Sequence, residues 1–149
     1  MATVTVRQAT ILDLQALVPL FDGYRQFYGR PSHTAGAYAF LLKRFRHAES
    51  AIFLAHEGSE PVGFTQLYPS FSSISMVRIF ILNDLFVRED ARGKGVSKML
   101  ISAATDFARV MGAANMTLST ALTNTHAQAV YESLRWRRDE QFCHYSFPL

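Results

Sequence analysis

Apolar and polar positions divide the chain into short segments with distinct periods. Residues 3–8 (TVTVRQ) alternate with β-branched side chains and predict a strand. Thr10 followed by Asp13 reads as a helix N-cap with an acidic first turn. Leu14, Leu17, Phe21, Tyr24 and Tyr28 then recur at helical spacing until Gly29-Arg30-Pro31-Ser32 breaks the pattern. A second helix is predicted over about 33–47, with Tyr38, Leu41, Leu42 and Phe45 on its apolar side. AIFLAHE (51–57) and VGFTQLYPSF (62–71) read as strands joined by the turn GSEP, hence a hairpin. Residues 77–87 form a third long apolar strand, and VSKMLISAATDFARV has a helical period. Residues 115–121 alternate again, Thr125–Leu134 is a short helix, and the tail over about 137–147 reads as two short strands or a hairpin. The predicted order is β-α-α-β-β-β-α-β-α-β-β. Hairpins in the first half and one strand–helix–strand crossover in the second make this a mixed-sheet α/β domain, not a doubly wound parallel sheet.

Length and charge narrow the class. A chain of 149 residues suits one domain, taken as 1–149, and 49% hydrophobic with 18% charged residues is a globular mixture. The net charge of +3 is not gathered in one block, so nucleic acid is allowed but not demanded, an anionic small ligand explains a local basic cluster equally well, and no nucleic-acid partner is the expectation adopted. Cys143 is the single cysteine, which excludes an internal disulfide, and with no neighbouring ligand it predicts no metal site. MATVTVRQAT lacks a basic stretch followed by an apolar one, and no apolar run reaches membrane-spanning length. A cytoplasmic protein without membrane partners is expected.

The chemistry concentrates in ILNDLFVREDARGKGVSKMLI, residues 81–101. A strand enters a helix through a loop rich in glycine and cations. Gly93 and Gly95 allow a sharp turn and close approach of a ligand. The first N–H groups of the following helix have no intrahelical partner and favour negative charge. Arg88, Arg92, Lys94 and Lys98 add positive charge, so a phosphate or diphosphate is the predicted ligand. An ordinary glycine-containing turn with a solvated basic rim has the same local sequence. GxxxxGK[ST] is absent, and Lys98 occupies the last glycine position of GxGxxG.

The loop does match [QR]xxGx[GA], as Arg92-Gly93-Lys94-Gly95-Val96-Ser97, with serine in the last position. With LNDLFV before it, this resembles the acetyl-CoA loop of the GNAT N-acetyltransferase superfamily. Asn124-Thr-His-Ala127-Gln-Ala-Val-Tyr131-Glu-Ser-Leu-Arg135-Trp136 is similar to that family's later motif, NxxAxxxYxxxGF, with Arg135 where glycine is usual. LNDLFV is also similar to the LEDFFV of diamine and polyamine acetyltransferases, with Asn83 in place of their glutamate.

The resemblance implies a GNAT-like fold: a mostly antiparallel sheet, about four helices, and a β-bulge that splays strand 77–87 from the next strand. It also implies acetyl transfer from acetyl-CoA by direct attack of a primary amine, with a diamine, polyamine or amino-acid-like acceptor. Lysine side chains or N-termini of proteins are the next acceptor class, and a non-catalytic CoA-binding module is the alternative to an enzyme. Carried onto this chain, Leu85, Phe86 and Val87 would pair with the pantetheine arm. Arg92, Gly93, Lys94, Gly95, Val96 and Ser97 would hold the diphosphate, and Asn124, Ala127 and Tyr131 would complete the cofactor site. Tyr131, whose phenol ordinarily keeps its proton up to about pH 10, would protonate the leaving thiolate. The same side chain shares an apolar stripe with Ala127, Val130 and Leu134. Asp84, or ordered water, would take the ammonium proton, because Asn83 is no base. Tyr24 and Tyr28, with Asn83 and Asp84, would bind the acceptor; Phe27, Tyr38 and Tyr68 extend the aromatic set, which an ordinary packing face would also explain. A homodimer is the expected assembly.

Overall fold

In the computed structural model, which describes residues 2–149, the first alternating segment is strand β1, Val4–Gln8. The Thr10 signal produces a 3-10 turn, Ile11–Asp13, that runs into helix α1, Leu14–Phe27. Thr10 Oγ1 accepts from Leu12 N at 3.3 Å, while the Asp13 carboxylate accepts from Thr10 N at 2.8 Å, so the entry is reciprocally capped. Arg7 donates two hydrogen bonds to the same carboxylate at 2.7 and 2.9 Å, which holds Asp13 down at about 2. Helix α2 spans Thr34–Arg46, strand β2 Ala51–Glu57, strand β3 Glu60–Ser72 and strand β4 Val77–Val87. Helix α3, Val96–Val110, leads to strand β5, Asn115–Thr117, and helix α4 is Thr125–Ser133.

The five strands form one sheet in sequence order, antiparallel throughout except for the parallel β4–β5 pair. Residues up to Ser119 and Thr120–Leu149 are two separate compact units. In the first unit helices cover both faces of the sheet. Leu17, Leu20 and Phe21 of α1 pack with Leu41 of α2 against Ile52, Leu54 and Phe64. On the other face Phe107 of α3 meets Phe53 and Phe80, each at a ring separation of 5.5 Å. Residues such as Phe64 and Leu17, essentially without exposure, each contribute roughly 1.5–3 kcal/mol of burial.

One irregularity positions the site. Gln66 pairs with Asp84 but Leu67 pairs with Leu82, so Asn83 is an extra residue on β4. Strand alternation would put Leu82 and Asp84 on one face. The bulge reverses that, and Asp84 and Phe86 join Phe64 and Gln66 on the α1 side.

Two expectations need correction. The segment 115–121 is a strand only over Asn115–Thr117. Residues 137–147 form no strand: the Asp139 carboxylate accepts from Gln141 N and Phe142 N in a local turn, and Phe142, Tyr145 and Phe147 are exposed. Alternation in QFCHYSF supplies the side-chain period, but a strand also needs a ladder partner, and these residues have none in the described sheet.

Candidate active site

The glycine loop is built from backbone. A 3-10 turn, Glu89–Ala91, carries the chain from β4 to Arg92. Gly93 and Gly95 then adopt left-handed conformations, φ 76° and 78°. Nothing lies within 4 Å of where a Cβ would stand on either residue. Gly95 is the N-cap of α3 and has no side chain to cap it, so the first-turn amides are left to an outside acceptor. Open space at both glycines and uncapped first-turn amides fit a diphosphate.

The loop cations are not all directed to an anion. Arg88, expected to add charge here, is tied to Asp90 and to Glu60 at 3.1 Å, which pushes its pKa up. Lys94 pairs with Glu57 at 3.0 Å. Arg92 donates Nε to the Val87 carbonyl at 2.9 Å and lies over the rings of Phe27 and Phe86, 5.6 and 5.7 Å from their centroids. Two of these cations, Arg88 and Lys94, are thus paired with carboxylates of the chain.

Strand β4 opens next to the loop. Its pairing with β5 covers only Ile79–Ile81. Beyond the bulge, Arg88 N donates to Val62 O at 2.8 Å, so alternation turns the peptide groups of Phe86 and Arg88 toward β3. Those of Leu85 and Val87 face the open side, where the Val87 carbonyl is taken by Arg92. Leu85 and Val87, rather than Phe86, thus offer backbone for strand addition, and Phe86 offers its ring.

Asp84 is the buried carboxylate of this region, 2% exposed. Asn83 Nδ2 donates to its Oδ1 at 2.7 Å, and Gln66 Nε2 donates to its Oδ2. The Tyr24 hydroxyl donates to the Asn83 carbonyl at 3.3 Å and also stabilises the ionised Asp84. The partners of Asp84 are thus protein side chains. Burial raises the Asp84 pKa, and the hydrogen bonds from Gln66, Asn83 and Tyr24 oppose it. Burial and the adjacent Asp84 charge push Tyr68 up to about 12 and Tyr24 further, so both phenols keep their protons.

The expected aromatic set is partly gathered. Tyr24 stands edge-on to Tyr28 at 5.1 Å, and Tyr28 to Phe27 at 5.3 Å. This run of α1 rings links the Asn83–Asp84 bulge with Arg92. Tyr38 remains 46% exposed on α2, apart from these ring pairs.

The second unit shows the other expected residues in their own frame. Asn124 caps α4, its Oδ1 accepting from Ala127 N at 3.2 Å. Arg135 takes a left-handed φ of 71° where glycine was anticipated. Trp136 N donates to Tyr131 O and Arg135 N to Glu132 O, both at 3.0 Å, while the Tyr131 and Trp136 rings lie 6.1 Å apart. That is a Schellman ending with its apolar contact, built on arginine. Tyr131 is half-buried and His126 exposed.

A sequence model of the acetyltransferase (GNAT) family matches residues 17–135. The chain belongs to the acetyltransferase (GNAT) family. It is 49% identical over 140 residues to an uncharacterized N-acetyltransferase, YhfO, of Bacillus subtilis (strain 168), covering 94% of each chain. A crystal structure of a probable acetyltransferase is 45% identical, with a TM-score of 0.91 and 97% of each chain covered. An aminoglycoside N-acetyltransferase solved with CoA shares the fold at 22% identity, with a TM-score of 0.82 and 100% of this chain and 97% of that one covered. The family consists of acetyl-CoA-dependent N-acetyltransferases, and this acetyltransferase has their mixed five-stranded sheet and four helices. No helix among the described residues is long and apolar enough to cross a membrane.

Sequence reasoning missed Gln66 and Thr65 of this acetyltransferase. Thr65 Oγ1 donates to the Asp84 carbonyl at 2.8 Å, filling the acceptor that the bulge displaces from the ladder. Gln66 has a readable signal: it stands between Phe64 and Tyr68 on one strand face, a lone amide among rings.

Proposed function

We propose that this acetyltransferase moves the acetyl group of acetyl-CoA to the primary amine of a small molecule by direct attack, with Asp84 as the proton acceptor. The observation that carries this reading is the buried carboxylate at a β4 bulge, beside an aromatic run and one strand segment from an open glycine loop. Aromatic faces with one carboxylate suit an alkylammonium ion. Diamines, polyamines and amino-acid-like amines are the acceptors to test first.

The α3 first-turn amides and residues Arg92–Ser97 would hold the diphosphate. Peptide groups of Leu85 and Val87 would align the pantetheine arm, and the Leu85 N–H would polarise the thioester carbonyl. Tyr24 and Tyr28 would receive the ammonium beside Asn83. Because Asn83 covers one oxygen of Asp84 and the carboxylate is 2% exposed, the ammonium proton would travel through a water molecule to Asp84. The free amine attacks the thioester carbon, a C–N bond forms and the C–S bond breaks; the leaving thiolate takes a proton from the group that the family resemblance assigns, Tyr131, and the second proton of the new amide nitrogen restores that phenol. Cys143 is exposed and has no part in this scheme. A homodimer is the assembly that the family resemblance favours, and light scattering of the purified chain tests it.

Incubation with acetyl-CoA and an amine panel, following free thiol and N-acetylated product, tests the activity. Stoichiometric thiol and acetylamine from a small amine supports the reading. Cofactor binding without product for any amine rejects it, and product from peptides alone moves the acceptor class to proteins.

A further inference from the structure

Gln66 is 0% exposed in the middle of β3, directly opposite Asp84 across the bulged register. Its neighbours on that face are Phe64 and Tyr68, and Phe86 of β4 lies on the same side. An apolar side chain of the same length would fill this place without burying an amide. The amide is present and uses only one end. Nε2 donates to Asp84 Oδ2, whereas Oε1 is buried and has no hydrogen-bond partner. Leaving an acceptor unpaired in such a place is unfavourable, and what the fold gains in return is one donor aimed at one carboxylate.

We propose that Gln66 is a positioning residue that clamps the Asp84 carboxylate and keeps it in its proton-accepting form. The inference rests on the Asp84 reading above and extends it to a residue that touches neither cofactor nor acceptor. An ionised carboxylate accepts at both oxygens, whereas protonation turns one of them into an O–H donor that faces the N–H of Gln66 or Asn83 rather than an acceptor. Nε2 facing Asp84 therefore favours the ionised form, against burial. No ion pair among the described residues includes Asp84. The groups that face it are Asn83 from its own strand, Tyr24 from α1, and Gln66 and Tyr68 from β3. Arg44 and Glu49 act on Tyr68 and are paired with each other at 3.4 Å. Gln66 and Asn83 thus hold the two oxygens, one each, and Gln66 is the fully buried member of the pair.

Side-chain NMR on the intact protein provides the test. In the wild type, the Gln66 Nε2 protons are expected to titrate with the same midpoint as the Asp84 carboxyl carbon. In Gln66→Met, the Asp84 midpoint is expected to rise by about one pH unit, with the acid limb of kcat/KM rising equally. Gln66→Glu, which cannot donate when ionised, should move both in the same direction. Gln66 protons that stay flat while Asp84 titrates overturn the proposal without any variant. So does an unchanged Asp84 midpoint in a folded Gln66→Met. If the carboxyl midpoint moves and the acid limb does not, the clamp stands and Asp84 is removed from the proton transfer, so the two readings fail separately.

Discussion

Around Gly93 and Gly95 the chain clears side chains away and presents amides to the outside; around Asp84 it packs side chains on every side and turns their polar ends inward. Both regions border the same open end of β4. The loop depends on conformation, on two left-handed residues and an uncapped helix start. The carboxylate cluster depends on contacts, since its donors come from α1, β3 and β4. A site built from backbone tolerates changes in side-chain charge but not in steric freedom. A site built from buried side chains has the opposite sensitivity.

The largest expected effect breaks the loop. Gly95→Val places a β-branched residue at φ 78° in the space proposed for diphosphate, so acetyl-CoA affinity should fall by about 100-fold or more. Calorimetric titration checks it, and an unchanged Kd would remove the loop from cofactor binding. Next comes Tyr131→Phe, for which about a tenfold or greater loss of kcat is expected with cofactor affinity retained. Equal turnover in both forms would exclude Tyr131 from the chemistry.

A third change sharpens the contrast through stability. Burial raises the folded-state pKa of Asp84, so the folded protein holds that proton more tightly than the unfolded chain does. The penalty for the ionised form is absent below the unfolded value of about 3.9, grows as pH rises through the folded value, and is complete above it. Asp84→Asn removes the penalty and gives the idle Gln66 Oε1 a donor. Melting should show a gain of about 1 kcal/mol at pH 8 that vanishes near pH 4. A loss of stability at pH 8 would show that the ionised carboxylate is a net stabiliser. The smallest effect lies in the second unit. Arg135→Gly relieves a left-handed arginine and should stabilise α4 by roughly 0.5–1 kcal/mol. Destabilisation would mean that the arginine side chain makes an interaction worth more than the strain.

The same division explains what the sequence made legible. The glycine loop was readable because its signal is local: strand, glycines and helix start are contiguous between Leu85 and Leu100. A bulge on this strand was expected from the family resemblance, and β4 appears over the expected residues 77–87 with the bulge at Asn83. Gln66 was not identified because its partner lies 18 residues away and meets it only through the shifted register. The pairing of Arg88 with Glu60, and of Lys94 with Glu57, was hidden for the same reason. In the tail, Phe142, Tyr145 and Phe147 have a strand's side-chain character, but pairing is a property of two segments, and one segment's pattern does not reveal it.

Cofactor binding and acetyl transfer, measured side by side in Asp84→Asn, address the centre of the scheme. Acetyl-CoA affinity should match the wild type while kcat/KM for the amine falls about 100-fold, because the proposed scheme has the loop hold the diphosphate and the carboxylate take the proton. Transfer at the wild-type rate with affinity intact would contradict Asp84 as the proton acceptor and leave only the loop.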